Sequence, residues 1–113
     1  MADPCIFCKM VAGDIPVSKV AETEHCLAFR DIHPQAPAHI LVIPKAHVTS
    51  LNDVTDEVTV GRMALLASRI ATAEGFAAAG YRIVMNTNVD GGQTMFHLHM
   101  HVLAGRRLTW PPG

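Results

Sequence analysis

Three histidines alternate with apolar residues near the carboxyl end of the chain. His97, His99 and His101 are separated by Leu98 and Met100. In an extended strand, a spacing of two places all three imidazoles on one face and the apolar side chains on the other. The sequence therefore predicts a strand over 97–103 that presents a row of imidazoles. The alternative is a polar strand edge whose histidines only face solvent.

Neighbouring imidazoles can perform nucleophilic catalysis at phosphorus. Imidazole has an ordinary pKa of about 6.5, so its neutral form can attack phosphorus while a neighbouring imidazole protonates the leaving group. A straight strand places His97 and His101 roughly 13 Å apart at the backbone. One metal ion, which needs nitrogens at about 2.1 Å, cannot easily bind all three. The central His99 has a neighbour on each side, which suits such catalysis.

A glycine loop precedes the histidines. Gly91 and Gly92 leave backbone N–H groups unobstructed, and Gln93 and Thr94 add side-chain donors. Such a loop can bind an anion, with Gln93 and Thr94 donating to phosphate oxygens or to the leaving group. A plain hairpin turn is the alternative for a Gly-Gly pair. The position of the loop directly before the histidines favours phosphate.

The order of predicted elements indicates an α+β domain. A short amphipathic segment with Phe7, Met10 and Val11 opens the chain, and strands are predicted over 26–30, 39–43 and 81–86. Between them, one long helix is predicted from Thr55 as N-cap to Gly75 or Gly80. Its apolar stripe comprises Val60, Met63, Leu66, Ala67, Ile70 and Ala73. We expect an antiparallel sheet with this helix packed on one face.

Composition and charge exclude several classes of protein. The chain has 113 residues, 50% of them hydrophobic and 17% charged, which predicts one folded domain over residues 1–113. A net charge of −1 argues against nucleic-acid binding through a basic face. The apolar runs are far shorter than the ~20 residues that cross a bilayer. Residues 1–4 include an acidic residue and a proline, which is not the pattern of a signal peptide. We expect no membrane association.

The cysteines favour a metal or redox site in a reducing compartment over a disulfide framework. The chain has three cysteines, an odd number, and Cys5 and Cys8 have the two-residue gap of many zinc sites. A second pair of ligands must then come from elsewhere in the chain. The alternative is a pair of small buried residues. The cytoplasm is the expected location.

With these residues in view, the chain closely resembles the histidine-triad nucleotide-binding family. The signature His-φ-His-φ-His-φ-φ, with φ apolar, is present at 97–103. Segments 31–39, 41–45, 90–93 and 110–113 resemble the purine nucleoside phosphoramidase branch of that family. The similarity extends from about Cys5 to Gly113. One position departs from the pattern, because Thr94 stands where a serine is common, and its added methyl group could alter which leaving groups fit.

The resemblance implies a fold and an activity. The fold would be a HIT-like, roughly five-stranded antiparallel sheet with one long helix and a short N-terminal helix, joined to a second sheet in a homodimer. The activity would be hydrolysis of the P–N bond in purine nucleoside 5′-phosphoramidates, those of adenosine or of guanosine, with adenosine derivatives expected first. The preference between adenine and guanine stays open. A covalent nucleotidyl group on His99 would be the intermediate, and catalysis would require no cofactor.

The resemblance also assigns roles to residues. His99 would be the nucleophile, and His101 would contact the phosphate and the leaving group. His39 and His97 would complete the histidine cluster behind them, and the Thr94 hydroxyl would relay a proton. Nucleotide-binding residues would be Asp31 at the ribose, Ile32 at the base, and Asn86, Gly92, Gln93 and Thr94 around the α-phosphate, together with His99 and His101.

A structural zinc is also implied. Bacterial relatives with the Cys-x-x-Cys pair resemble zinc proteins, and His47 and His97 would then join Cys5 and Cys8 as ligands. The metal is expected to be structural and to lie away from the chemistry.

Two other functions remain open from the sequence. The first is a metalloenzyme in which His97 and His99, or His99 and His101, supply two ligands from one strand. The second is a non-catalytic module that binds AMP and acts as a sensor or interaction partner.

Overall fold

A computed structural model of the chain describes residues 5–113. Five antiparallel strands form one sheet in the order β1-β2-β3-β5-β4, which confirms the expected α+β class. The strands are β1 (Lys19–Glu22), β2 (Cys26–Arg30), β3 (Ala38–Pro44), β4 (Tyr81–Val84) and β5 (Met100–Ala104). The helices are α1 (Ile6–Ala12), α2 (Val58–Glu74) and the single turn α3 (Asn88–Gly91), with a short 3₁₀ segment at Leu51–Asp53. The expectation that the chain carries no signal peptide concerns residues 1–4, which lie outside the described residues.

One face of the sheet forms the larger apolar core with α2. Leu98, Met100 and Val102 are buried in this core, so the predicted alternation of the histidine segment is confirmed. The predicted stripe of α2 packs here through Met63, Leu66, Ala67 and Ile70, against Cys26, Ala28, Ile40 and Val42 of the sheet. Burial of each large apolar side chain stabilises the fold by roughly 1.5–3 kcal/mol before entropy is counted. In residues 5–113, no helix is both long and apolar enough to span a bilayer.

The other face of the sheet is covered in part by α1. Phe7 of α1 is buried there in a second apolar cluster with Leu27, Phe29, Leu41 and Ile43. Antiparallel pairing sets Leu41 opposite His101 and His39 opposite Leu103. Opposite residues share a face, so His39 and His101 lie on this α1 side of the sheet.

The prediction that one strand contains the whole histidine segment was wrong, because β5 begins only at Met100. The reason lies in Pro44 at the end of β3, which has no N–H to donate to a neighbouring strand. The Pro44 carbonyl accepts a hydrogen bond from Nε2–H of His97 at 2.8 Å. The Leu98 N–H instead donates to the Val48 carbonyl at 2.7 Å.

Two further boundaries differ from prediction. Thr55 is not the cap of α2, since Asp56 Oδ1 accepts the N–H groups of Val58 at 2.9 Å and Thr59 at 2.8 Å. The end of α2 before Gly75 is as predicted. Strand β4 ends at Val84 rather than at residue 86.

Candidate active site

A cleft of about 830 Å³ opens on the α1 side of the sheet. Its volume falls in the range of roughly 300–1,000 Å³ that holds small-molecule ligands. Five of the predicted site residues line this cleft: Asp31, Ile32, His39, Thr94 and His101. Its apolar walls come from Ile6, Phe7 and Met10 of α1 and from Phe29 and Leu41 of the sheet.

Hydrogen bonds fix the orientation of two imidazoles at this cleft. The Gln35 N–H donates to Nδ1 of His39 at 3.0 Å, so neutral His39 carries its proton on Nε2. His39 Nε2 lies 2.8 Å from Nδ1 of His101, and His39 is therefore the donor. Neutral His101 in turn carries its own proton on Nε2. We call Gln35 N–H, His39 and His101 the imidazole chain.

The surroundings of the imidazole chain keep both of its rings neutral. Burial lowers the pKa of His101 to about 4, with further lowering by positive charge on His99 or His39 and partial opposition from Asp31. Burial also lowers the pKa of His39, again opposed by Asp31. Near pH 7 the chain therefore ends in a neutral His101 that can donate a hydrogen bond from Nε2.

Within residues 5–113, only one ring nitrogen of His99 makes a hydrogen bond. Its Nδ1 lies 2.8 Å from the His97 carbonyl. A carbonyl can only accept, so the proton of neutral His99 is on Nδ1 and the lone pair is on Nε2. No buried side-chain nitrogen or oxygen in residues 5–113 lacks a partner, so the unbonded Nε2 must reach solvent even though His99 is 8% exposed. The His99 ring makes edge-to-face contacts with the rings of Phe7 and His101, at centroid distances of 5.4 and 5.1 Å.

Asp31 and Ile32 stand at the mouth of the cleft. One carboxylate oxygen of Asp31 accepts the His33 N–H at 2.7 Å, and the other lies 3.5 Å from His39 Nε2. Each oxygen retains accepting capacity for a hydroxyl group. Ile32 is 87% exposed, which leaves its apolar surface available to a ligand.

The glycine loop is built differently from the prediction. The Gly92 and Gln93 N–H groups donate to the carbonyls of Val89 and Asn88, which closes α3. The Gln93 amide is buried; its NH₂ donates to the Thr49 and Met95 carbonyls and its oxygen accepts the Asn88 N–H. Neither residue retains a donor for phosphate, because the positive φ of 82° at Gly92 turns the chain back on α3.

The part of this loop that reaches the cleft is Thr94. Gln93 does not line the cleft, and its side-chain amide is bonded to backbone groups. Asn86 is half-buried, with its backbone 3.7 Å from where a Cβ on Gly91 would lie. It is not part of the cleft wall.

Four predicted metal ligands converge beside the cleft. Nδ1 of His97 lies 3.3 Å from Sγ of Cys5, 3.5 Å from Sγ of Cys8 and 3.2 Å from Nδ1 of His47. Sγ of Cys8 is also 3.3 Å from Nδ1 of His47. Tetrahedral zinc, with bonds of about 2.3 Å to sulfur and 2.0–2.1 Å to nitrogen, separates its ligand atoms by roughly 3.3–3.8 Å. The four residues fit this ion, and two thiolates would balance its charge.

His97 connects the predicted metal ligands to His99. The His97 side chain is fully buried. Its Nε2–H donates to the Pro44 carbonyl, so the proton of the neutral ring is on Nε2. The Nδ1 atom lies toward Cys5 and the other predicted ligands. The carbonyl of His97 accepts from His99. His97 does not line the cleft. The expectation of a structural metal that lies away from the chemistry stays a prediction.

The shared-metal alternatives do not fit the geometry. In residues 5–113, His99 belongs to neither group of side chains that could hold an ion. The second such group is Asp31, His39 and His101. There the imidazole nitrogens are 2.8 Å apart, a hydrogen-bond distance and shorter than the roughly 3.3 Å expected for two nitrogens on tetrahedral zinc.

Sequence reasoning missed two residues of this site. Phe7 contacts the rings of both His97 and His99, but its helical spacing pointed only to packing. Gln35 acts through its backbone N–H, which leaves no signal in the residue type.

Comparisons with known proteins identify the family of the chain. The family model described as HIT domain matches residues 12–108. A purine nucleoside phosphoramidase of Escherichia coli K12 is 48% identical over 110 residues, covering 96% of this chain and 92% of that protein. An uncharacterized HIT-like protein of Synechococcus elongatus is 49% identical, with complete coverage of both chains.

Solved structures agree as well. A HIT family hydrolase from Legionella pneumophila has a TM-score of 0.94 and 49% identity, with 96% of this chain and 99% of that chain covered. A histidine triad protein from Clostridium difficile has a TM-score of 0.92 and 45% identity, with 96% and 97% covered. The histidine segment, the cleft beside it and these matches together show that the chain belongs to the HIT domain family.

Proposed function

We propose that this protein hydrolyses the P–N bond of purine nucleoside 5′-phosphoramidates, adenosine derivatives above all, through a nucleotidyl group on His99. The observation that carries the proposal is the 2.8 Å contact between Nδ1 of His99 and the His97 carbonyl, which leaves the lone pair of the neutral ring on Nε2. The relationship to the E. coli purine nucleoside phosphoramidase supports the same substrate class.

The cleft offers groups for each part of the nucleotide. Free lone pairs of the Asp31 carboxylate can accept both hydroxyls of a ribose. The exposed Ile32 side chain offers an apolar surface to a purine face. His101 and Thr94 line the same cleft, and the Nε2–H of His101 and the Thr94 hydroxyl would donate to the phosphoryl group.

In the first step, Nε2 of His99 forms a bond to phosphorus while the P–N bond to the amine breaks. The Nδ1–H···O bond to His97 stabilises the positive charge that develops on the ring. The departing nitrogen needs one proton, which Thr94 relays from solvent water.

His101 stabilises the phosphoryl oxygens with a hydrogen bond rather than giving up its proton. Its Nδ1 already accepts from His39, so loss of the Nε2 proton would leave an imidazolate. Donors held in place before the reaction are the main electrostatic contribution to such transition states.

In the second step, water attacks phosphorus and the bond to His99 Nε2 breaks. This step releases the one proton that the first step consumed. The products are a nucleoside 5′-monophosphate and an amine, and His99 returns to its starting tautomer.

The test is turnover of adenosine 5′-phosphoramidate by wild type and by His99→Ala. We expect His99→Ala to lose on the order of 10⁴-fold in kcat while retaining AMP binding measured by calorimetry. Wild-type protein that binds AMP without turnover would contradict the proposal and favour a nucleotide sensor.

We also propose that Cys5, Cys8, His47 and His97 hold zinc. Bound zinc would act as a structural cross-link between α1 and the histidine segment. The fit of the four ligand atoms to tetrahedral spacing supports the site, and so does the His97 Nε2–H bond that orients its ring. Metal analysis of the purified chain tests it, with one zinc per chain as the expected result.

The proposed assembly is a homodimer in which β4 pairs with β4 of a second copy. Strand β4 is an edge of the sheet, and Tyr81 and Ile83 project from it with 37% and 43% exposure. Exposed apolar edges favour association. Light scattering should give twice the mass of the chain, and Ile83→Lys should give a monomer. A monomeric wild type would refute the assembly.

A further inference from the structure

An arginine outside the cleft is hydrogen-bonded to Gln35, the residue whose N–H begins the imidazole chain. The guanidinium of Arg106 donates to the Gln35 carbonyl twice, from Nε at 3.2 Å and from an Nη at 3.0 Å. The N–H of the same residue, Gln35, donates to Nδ1 of His39 at 3.0 Å. The carbonyl of Gln35 is therefore held by the Arg106 guanidinium. The N–H of Gln35 sets the tautomer of His39.

The fold brings Arg106 to this loop by a close approach at Gly105. A Cβ on Gly105 would lie 2.8 Å from Cβ of Pro37 and 3.5 Å from the Ala38 nitrogen. Gly105 also has φ of 93°, a conformation that other residues rarely adopt. The end of β5 thus packs directly against the 35–38 loop, and Arg106 follows at once.

Little else described in the structure restrains Gln35. Its side-chain NH₂ donates to the His33 carbonyl, within the same exposed loop. Charged, forked donors hold a carbonyl more firmly than neutral single donors do. Without Arg106, the Gln35 backbone can rotate and its N–H can leave His39.

We propose that Arg106 is a positioning residue for the reaction: by holding the Gln35 carbonyl, it keeps the Gln35 N–H on His39 and so keeps the Nε2 proton of His101 directed at the phosphoryl group. The effect on turnover rests on the proposed function. The effect on the imidazoles does not, because it exists in the ligand-free protein.

The test compares Arg106→Gln with Arg107→Gln. Both remove one positive charge from adjacent exposed positions, but no side-chain hydrogen bond of Arg107 occurs among the described residues. Long-range ¹H–¹⁵N spectra of ligand-free protein report which ring nitrogen of each histidine is protonated. In wild type and Arg107→Gln we expect His39 and His101 to be protonated on Nε2 alone. In Arg106→Gln we expect His39 to show a mixture of both tautomers.

Kinetics supply the second readout. Arg106→Gln should lower kcat by roughly threefold to tenfold, with KM and AMP affinity changed less than about twofold, because the residue does not touch the ligand. Arg107→Gln should match wild type. Should Arg106→Gln fail to fold, Arg106→Lys keeps the charge but loses the fork, and it should show the same changes at smaller size.

Two results would overturn the proposal. One is a pure Nε2–H tautomer of His39 in both Arg106 variants. The other is an equal loss of kcat in the Arg106 and Arg107 variants. Absence of turnover in the wild type would refute the proposed function, while the spectra would still decide the role of Arg106.

Discussion

Two histidine pairs flank His99 and differ in what lies between their nitrogens. Nδ1 of His47 and Nδ1 of His97 are 3.2 Å apart. Sγ of Cys8 lies near both nitrogens, and Sγ of Cys5 lies near that of His97. Nε2 of His39 and Nδ1 of His101 are 2.8 Å apart. The other ring nitrogen of His39 accepts the Gln35 N–H. The first spacing suits two ligands of one metal ion, and the second suits a hydrogen bond from His39 to His101. The partners of an imidazole, rather than its residue type, decide its chemistry.

His99 depends on both pairs. The first pair holds it through the His97 carbonyl, and the second orients the neighbouring ring of His101. The following predictions separate the two pairs, beginning with the largest expected effect.

Replacing both Cys5 and Cys8 by serine should abolish metal binding. Serine still favours the N-cap of α1, where Cys5 Sγ now accepts the Cys8 N–H, so the loss reports the metal rather than the cap. Zinc content should fall from about one per chain to near zero. A ligand present at 1,000 times its Kd stabilises by about 4 kcal/mol, so Tm should fall by roughly 10–20 °C.

Cys26→Ala is the matched control for loss of a thiol. Cys26 is buried in the core beside α2, so its variant should keep zinc despite some loss of stability. Unchanged zinc content in the double serine variant would disprove the metal site.

Replacing His39 by leucine should lower kcat and spare the metal. The side chain keeps a similar apolar volume but loses the donor that fixes His101. We expect kcat to fall roughly 10- to 100-fold, somewhat less than for direct removal of a transition-state donor. Zinc content should not change. His25→Leu, at an exposed site away from the cleft, should match wild type in both measurements; loss of zinc with normal kcat in His39→Leu would reverse the assignment of the two pairs.

The imidazole chain should also make stability depend on pH. The pKa of His101 is about 4 in the folded protein, against about 6.5 unfolded. Between these values the unfolded chain binds the proton more readily, so the free energy of unfolding should fall as pH drops from 6.5 toward 4. His99, His39 and Asp31 are the groups that act on this titration.

Urea titrations at pH 7, 5.5 and 4.5 measure this effect. His101→Asn should show a shallower decrease than wild type, whereas the exposed His33→Asn should not. The difference between each variant and wild type removes the contribution of metal-ligand protonation, which is common to all. Equal slopes for His101→Asn and wild type would contradict the lowered pKa.

Thr94 should give the smallest effect. Thr94→Ala removes the hydroxyl that relays the proton, and kcat should fall by about tenfold with poor amine leaving groups and less with good ones. Thr94→Ser keeps the hydroxyl and should stay within about threefold of wild type for every leaving group. An equal loss in both variants would show that the methyl group, not the hydroxyl, is what matters.

The sequence predicted the parts of this structure that depend on residue type and period. Alternation correctly separated Leu98, Met100 and Val102 from the imidazoles, because the pleat of an extended chain has a fixed period of two. The Cys5 and Cys8 spacing pointed to a pair of ligands, and resemblance to relatives supplied His47 and His97, which the fold brings together.

Features that depend on backbone hydrogen bonds were not predictable in the same way. Gln93 looked like a phosphate donor, but its amide is used by three backbone groups of its own surroundings. The late start of β5 follows from Pro44 in the neighbouring strand β3. The capping of α2 by Asp56 rather than Thr55 follows from the local turn geometry. The bonds of Gln93 and the start of β5 involve residues distant in the sequence, Thr49 and Pro44, whereas the cap of α2 is a choice between two neighbouring residues.

The most direct test of the central claim is the mass of the protein during turnover. Wild type mixed with adenosine 5′-phosphoramidate and quenched within milliseconds should carry one added adenylyl group, and peptide mapping should locate it on His99. His99→Ala should carry none. A wild type that turns over substrate without this adduct, or with the adduct on another residue, would contradict the proposed role of the His99 Nε2.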